Sequence, residues 1–176
     1  MGDGMMMPPS ADDGPGRLEV HLKVRAHFPS CVSDRLEQVV SRVEGLLEQG
    51  TIDAVDVSAW IRLYPDRPVL ENNERETLQQ YLDWASRHGY VLQPAFRCHE
   101  SSSLVETTSR TAVEVPMVSL AVFEDDQLRC VVPYSNGDVV ESVEEYLELL
   151  ERGHIEPSLE PPAEDRQERQ PIELSP

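Results

Sequence analysis

A strict alternation of apolar and polar residues near the start of the chain is the feature that most restricts its fold. Between Arg17 and Phe28 every second residue is apolar, and the residues between are charged or histidine. Because neighbouring side chains of a strand point to opposite faces, the pattern predicts a strand with one buried and one wet face. The wet face carries His21, Lys23, Arg25 and His27.

A helix and a second strand follow, so the chain opens with a β-α-β unit. Asp34 and Glu37 have the spacing of a reciprocal N-terminal cap, and Gly50 stands where a helix commonly ends. A second alternation over residues 55–64 predicts another strand. The face of that strand opposite its apolar row presents Trp60, Arg62 and Tyr64.

The rest of the chain mixes one more helix, a hairpin and a final helix. The pattern predicts a helix ending near Gly89, then an edge strand over Tyr90–His99 and a loop over 100–110. A strand over Val113–Phe123 follows, and a turn at Asp125 and Asp126 joins it to a hairpin partner over 128–134. The last element is a helix capped by Ser142 and Glu145. This order predicts an α+β fold, a two-layer sandwich that is ferredoxin-like or related, with a mixed or antiparallel sheet and three helices.

Composition divides the chain into three parts. Residues 1–16 are rich in Gly, Pro, Met and Asp and are predicted to be disordered. Residues 17–154 form a single α+β domain. Residues 155–176 form a Pro- and Glu-rich tail, predicted to be disordered, which acts either as a solvated terminus or as an acidic arm that docks on a partner or a basic patch.

The charge indicates the environment more than the activity. The chain has 33 acidic residues, a single lysine and a net charge of -18. Such a surface repels itself in dilute buffer, whereas at molar salt the Debye length falls to about 3 Å. We therefore expect a halophilic protein. With no apolar run of membrane-spanning length and no secretory pattern at the N-terminus, we expect a cytoplasmic location and no membrane partner.

Catalytic and metal-binding signatures are missing from the sequence. No nucleophile elbow, zinc-protease helix or phosphate-binding loop occurs, and carboxylate pairs carry no information in so acidic a chain. Cys98 and His99 are neighbours on a predicted strand, so they point to opposite faces and are poorly placed to share a metal with Cys130. Cys98 and Cys130 are interpreted as buried thiols, and we predict no catalytic residue, metal or cofactor.

The polar faces of the first two strands form the candidate binding site, which consists of His21, Lys23, Arg25, His27, Trp60, Arg62 and Tyr64. Cations that track phosphates and rings that stack bases are typical of nucleic-acid binding, although the net charge opposes it. The same face fits an anionic small molecule, a protein partner or the acidic surface of a second copy. It also fits an ordinary polar surface neutralised by neighbouring carboxylates. On the partner hypothesis, Trp60→Ala leaves the fold intact and weakens association.

Three segments carry a resemblance to a known group of proteins: LLEQGTIDAVDVSAWIRL at 46–63, PMVSLAVFEDDQLRCVVP at 116–133 and SVEEYLELLERG at 142–153. They resemble small acidic haloarchaeal proteins, some of which carry a helix-turn-helix label. The label implies DNA-binding regulation, and the resemblance brings no catalytic residues. From the residues we predict a non-enzymatic binding or regulatory module that acts through an open sheet face. A DNA- or RNA-binding transcriptional regulator and a small enzyme are the alternatives.

Overall fold

The computed structural model describes residues 16–25, 30–60, 72–102 and 109–162, with the backbone alone for 72, 98–102 and 109–113. The elements are β1 (Leu18–Arg25), α1 (Ser33–Glu48), β2 (Ala54–Trp60), α2 (Asn72–His88), β3 (Arg97–Ser102), β4 (Ser109–Glu114), β5 (Val118–Glu124), β6 (Gln127–Val132), β7 (Tyr134–Ser135), β8 (Val140–Glu141) and α3 (Val143–Glu151). The predicted α+β class is confirmed, including three helices and a mixed sheet.

The main sheet has the strand order β2-β1-β5-β6. β1 and β2 are parallel neighbours, whereas β1 with β5 and β5 with β6 are antiparallel. In a ferredoxin-like fold the two strands of a β-α-β unit are split by another strand. Here they pair directly, so the strand order is that of a related α+β arrangement.

One face of the main sheet is aliphatic and is covered by α1 and α3. Its fully buried side chains are Val20, Leu22, Leu120, Val122, Cys130 and Val132. α1 contributes Val39, Val43 and Leu46, and α3 contributes Val143, Tyr146, Leu147 and Leu150. Burial of each such aliphatic side chain stabilises the fold by about 1.5–3 kcal/mol.

The opposite face is aromatic and is covered by α2 and the segment that follows it. Trp60 of β2 meets Tyr81 of α2 edge to face, with ring centroids 6.1 Å apart, and meets Phe96 at 6.0 Å. The indole N–H of Trp84 donates to the carbonyl of Arg129 at 3.0 Å, which fastens α2 to β6. The structure thus places the predicted second helix on the sheet face that the sequence predicts to be open.

Local turn chemistry follows the sequence at most of the predicted positions. Asp125 and Asp126 have φ of 48° and 64°, as a two-residue hairpin turn requires. Gly50 has φ of 70°, and the capping box of Ser142 with Glu145 is present. The cap predicted at Asp34 is wrong, because α1 begins one residue earlier at Ser33 and no side chain caps it.

The segment between α2 and β5 departs from the predictions. The edge strand predicted over 90–99 is a turn near Pro94 with one bridge from Val91 to Ser135, and a strand forms only from Arg97. The loop predicted over 100–110 is largely the hairpin of β3 and β4. The strand predicted over 113–123 is interrupted before Val118, where Pro116 offers no amide to a ladder.

Part of the predicted tail is packed against the domain. Ile155 and Leu159 pack on the core, and residues 155–162 make hydrogen bonds to three tyrosines and an asparagine. Residues 1–15 and 163–176, for which disorder is predicted, lie outside the described residues. None of the described helices is long and apolar enough to cross a membrane.

Candidate functional site

The register of β1 and β2 decides which candidate residues share a face. His21 stands opposite Asp56, Lys23 opposite Ser58, and Arg25 opposite Trp60. The structure therefore brings His21, Lys23 and Arg25, here called the cationic row, to the same face as Trp60. The other three candidate residues, His27, Arg62 and Tyr64, lie outside the described residues.

Lys23 is held on that face by two neighbours on β2. Its ammonium donates to the hydroxyl of Ser58 at 3.2 Å and lies 4.9 Å from the ring centroid of Trp60. A cation within about 6 Å of an indole face is attracted by the ring's quadrupole. The ammonium group of Lys23 therefore interacts with residues of the domain itself.

The other two members of the cationic row also have acidic partners. His21 lies 2.9 Å from the carboxylate of Glu19 and packs on Phe123 at a centroid distance of 4.5 Å. The guanidinium of Arg25 meets Glu114 at 3.5 Å. These pairs correspond to the polar-surface interpretation of the row, in which neighbouring carboxylates neutralise it.

The prediction that Trp60 lies on a wet face is wrong. Its side chain is 1% exposed and its indole N–H donates to the hydroxyl of Ser119 at 2.8 Å. α2 covers the ring from one side, while Lys23 lies over it. Trp60 is therefore a core residue that joins β2, β5 and α2.

The two arginines of α1 form ion pairs with glutamates of α3. Arg42 meets Glu151 at 2.7 Å and donates to the carbonyl of Glu144 at 3.3 Å, and Arg35 pairs with the Glu144 carboxylate. Hydrogen bonds from these arginines lower the pKa values of Glu144 and Glu151. The basic side chains of α1 therefore hold two helices together and are poorly placed to meet a ligand.

The outer face of α2 has a different character. Its 17 residues contain three acidic and two arginine residues, whereas the nine residues of α3 contain four glutamates. Exposed amide and guanidinium side chains occupy its first half: Asn73, Arg75, Gln79 and Gln80. Gln79 donates to Asp83 at 2.8 Å, one turn along the helix. Among the described helices, α2 offers the outer face best supplied with polar donors.

Metal ligation finds no support in the part of the chain that is described. No group of three or more His, Cys, Asp or Glu side chains converges there. Cys130 is fully buried, as predicted, and burial raises the pKa of its thiol, so it stays protonated. The side chains of Cys98 and His99 are outside the described set.

Three tyrosines that the sequence does not single out form a cluster under residues 155–162. Tyr90, Tyr134 and Tyr146 are all buried, and Tyr90 and Tyr134 lie 4.7 Å apart between ring centroids. Each occupies an apolar position of its own segment, so periodicity assigns it to the core. The sequence signal that could have indicated this contact lies in the tail, where apolar residues recur at every second position from Ile155 to Leu159.

The chain was compared with known proteins. A family model described as a helix-turn-helix domain matches residues 12–154. The chain belongs to this family. No curated protein and no solved structure matches the chain.

The helix-turn-helix match covers the α+β domain and not merely a pair of helices. Residues 12–154 reach from before β1 to just past the end of α3. Within the described ranges, α1 and α2 are separated by β2 and cover opposite faces of the sheet. They therefore do not form the pair joined by a three- or four-residue turn that DNA-binding helix-turn-helix proteins use.

Proposed function

We propose that the protein is a DNA-binding transcriptional regulator and that the outer face of α2 contacts the DNA. The observation that carries the proposal is the match of residues 12–154 to a helix-turn-helix domain family. The proposed activity is non-enzymatic and requires no metal or cofactor.

The choice of α2 rests on the surfaces of the three helices. Arg35 and Arg42 of α1 are paired with α3, and α3 itself is strongly acidic. The first half of α2 exposes Gln80. Glutamine is a side chain that reads adenine edges in the major groove. The N-terminal half of a recognition helix is the part that meets the bases.

The cationic row of β1 is assigned no DNA contact in this proposal. Lys23, His21 and Arg25 each have a partner within the domain, and Trp60 is not available to stack on a base. Binding of a protein partner or of a second copy at the cationic row stays a prediction. Trp60 takes no part in it, because its side chain is buried.

The net charge sets the expected salt dependence. With a charge of -18 the protein gains little from nonspecific attraction to phosphates. The slope of log K against log salt is about -0.9 for each neutralised phosphate. We expect only a few such contacts and hence a shallow slope. Base contacts by α2 then supply most of the discrimination between sequences.

The test is selection of a binding sequence from random duplex DNA by the purified chain in molar salt, followed by filter binding. We expect one enriched sequence. Gln80→Ala should weaken binding to it by about 1–3 kcal/mol, which is the discrimination that one good base contact supplies. The matched control is Gln38→Ala, which removes an exposed glutamine from α1.

Two outcomes would contradict the proposal. One is that no sequence is enriched although the chain is folded by circular dichroism. The other is an equal effect of the two glutamine substitutions, which would remove α2 as the DNA-contacting element.

A further inference from the structure

Residues 155–162, here called the strap, lie along a groove formed by Tyr90, Tyr134, Tyr146 and Asn136, here called the tyrosine groove. The strap leaves α3 through a turn at Gly153, which has φ of 83°. It then passes Tyr146, Tyr134 and Tyr90 in turn and ends beside Gly89.

The groove recognises the backbone of the strap. The hydroxyl of Tyr146 donates to the carbonyl of Ile155 at 2.6 Å, and that of Tyr90 donates to the carbonyl of Leu159 at 2.5 Å. The oxygen of Tyr134 accepts from the amides of Ser158 and Leu159 at 2.9 and 3.1 Å. Asn136 donates to the carbonyl of Glu160 at 3.0 Å. Backbone recognition of this kind accepts other chains that can follow the same path.

Desolvation keeps the tyrosine hydroxyls in the form that this recognition requires. Burial raises the pKa of Tyr134 to about 12 and raises the pKa values of Tyr90 and Tyr146 as well. The hydroxyls of Tyr90 and Tyr146 therefore remain donors across the physiological range. The three tyrosines of the groove are therefore neutral in this range.

Side chains of the strap alternate between the groove and solvent. Ile155, Pro157 and Leu159 are half-buried, whereas Glu156, Ser158 and Glu160 are exposed. Extended peptides bind other proteins in this way, with main-chain hydrogen bonds for affinity and alternate side chains for specificity.

Two positions add specificity to the backbone contacts. The hydroxyl of Ser158 donates to the carboxylate of Glu141 at 2.5 Å, and Glu141 is buried. A serine fits this position, whereas an acidic side chain would be repelled. At the far end, a β-carbon on Gly89 would lie 3.3 Å from the β-carbon of Pro161, so the glycine allows the strap to lie close.

The pattern of the strap occurs a second time in the chain. Residues 155–159 read Ile-Glu-Pro-Ser-Leu, and residues 172–176 read Ile-Glu-Leu-Ser-Pro. Both place isoleucine at the first position, glutamate at the second and serine at the fourth. The third and fifth positions, which face the groove in the strap, hold leucine and proline in exchanged order.

We propose that the tyrosine groove is a binding site for peptides of the pattern Ile-Glu-x-Ser-x, closed in cis by the strap. Its ligand in trans is the segment 172–176 of a second copy. The strap then competes with this ligand, because both require the same tyrosine hydroxyl groups. Release of the strap increases binding between copies, and the acidic surfaces of the copies repel less as salt rises.

The test uses the full chain and a fluorescent peptide of residues 168–176, ERQPIELSP, with anisotropy as the readout in molar salt. Leu159→Ser removes an apolar anchor of the strap and leaves the groove intact. This variant should bind the peptide at least about tenfold more tightly than the wild type, because the apparent affinity scales with the fraction of open groove. Adding Tyr134→Phe should abolish the gain, since the acceptor for the amide of Ser175 is lost; Pro176, which takes the place of Leu159, has no amide hydrogen to donate.

A matched peptide with Ser175→Asp separates recognition from adsorption. It should bind at least about tenfold more weakly, because its carboxylate would meet Glu141. If Leu159→Ser fails to fold, Ser158→Asp opens the strap by the same repulsion at an exposed position and should give the same increase. Equal binding of the two peptides overturns the proposal. Failure of every folded strap variant to bind more tightly than the wild type also overturns it.

Discussion

The two faces of the main sheet are buried by different chemistry. The aliphatic face is an ordinary hydrophobic contact in which leucine and valine of the sheet meet the stripes of α1 and α3. The aromatic face buries Trp60, Tyr81 and Phe96 beside Lys23, whose ammonium donates to Ser58 of β2, while the indole N–H of Trp60 donates to Ser119 of β5. A row of charged residues on a strand therefore does not by itself mark a surface that stays open.

The number of helices explains the difference. α1 and α3 meet each other and fill the aliphatic face, with their ion pairs along the contact. α2 also has an apolar stripe, and only the other face of the sheet remains for it. Lys23 of the cationic row also lies over the ring of Trp60, so the lysine and α2 together cover this side chain.

The largest effect is expected from removing the aromatic centre. Trp60→Ala should reduce the free energy of unfolding by about 3–5 kcal/mol, the range for truncating a buried tryptophan. Equilibrium denaturation with guanidinium chloride measures it. Leu22→Ala on the aliphatic face is the matched control, with an expected loss of about 2–5 kcal/mol. A loss below about 1 kcal/mol for Trp60→Ala, with a normal loss for Leu22→Ala, would contradict the burial of Trp60 and indicate a surface position.

Much of the fold could be predicted from the chain alone. The alternation over 17–28 gave β1 and its two faces, and the pair of aspartates at 125 and 126 gave the hairpin turn. The burial of Trp60 could not be read there, because alternation assigns side chains to a face without saying what covers the face. The strap was missed for a related reason. Its partners lie 9 to 69 residues away, and no local pattern encodes such pairing.

A smaller effect is expected at Lys23, the charged residue that lies over the ring of Trp60 on the aromatic face. Lys23→Met keeps the aliphatic stem but removes the hydrogen bond to Ser58 and the attraction to the ring of Trp60. We expect a loss of about 1 kcal/mol, the usual value for one hydrogen bond or one cation-ring contact. A double-mutant cycle with Trp60→Phe should show coupling of about 0.5 kcal/mol or more. No loss and no coupling would mean that Lys23 is free for a ligand, and the sheet-face hypothesis would regain its strongest residue.

The smallest effect is expected at the rim of the aliphatic face, where the arginines of α1 form ion pairs with glutamates of α3. Arg42→Ala removes the pair with Glu151, which is partly exposed and screened, so we expect a loss of only about 0.5 kcal/mol at neutral pH and low salt. The pairs lower the pKa values of Glu144 and Glu151 on folding. Their contribution is therefore complete above the ordinary carboxylate pKa and is lost as the pH falls through the lowered folded values.

The difference between wild type and Arg42→Ala should consequently vanish in acid and shrink in molar salt, where the pair is screened. Denaturation at neutral and acidic pH, each at low and high salt, measures both trends. Arg17→Ala is the matched control, because its contact with Glu19 is long, at 3.8 Å, and largely exposed. A loss for Arg42→Ala that persists unchanged in acid would assign its role to packing of the arginine stem against α3. The rim would then resemble the hydrophobic centre that it surrounds.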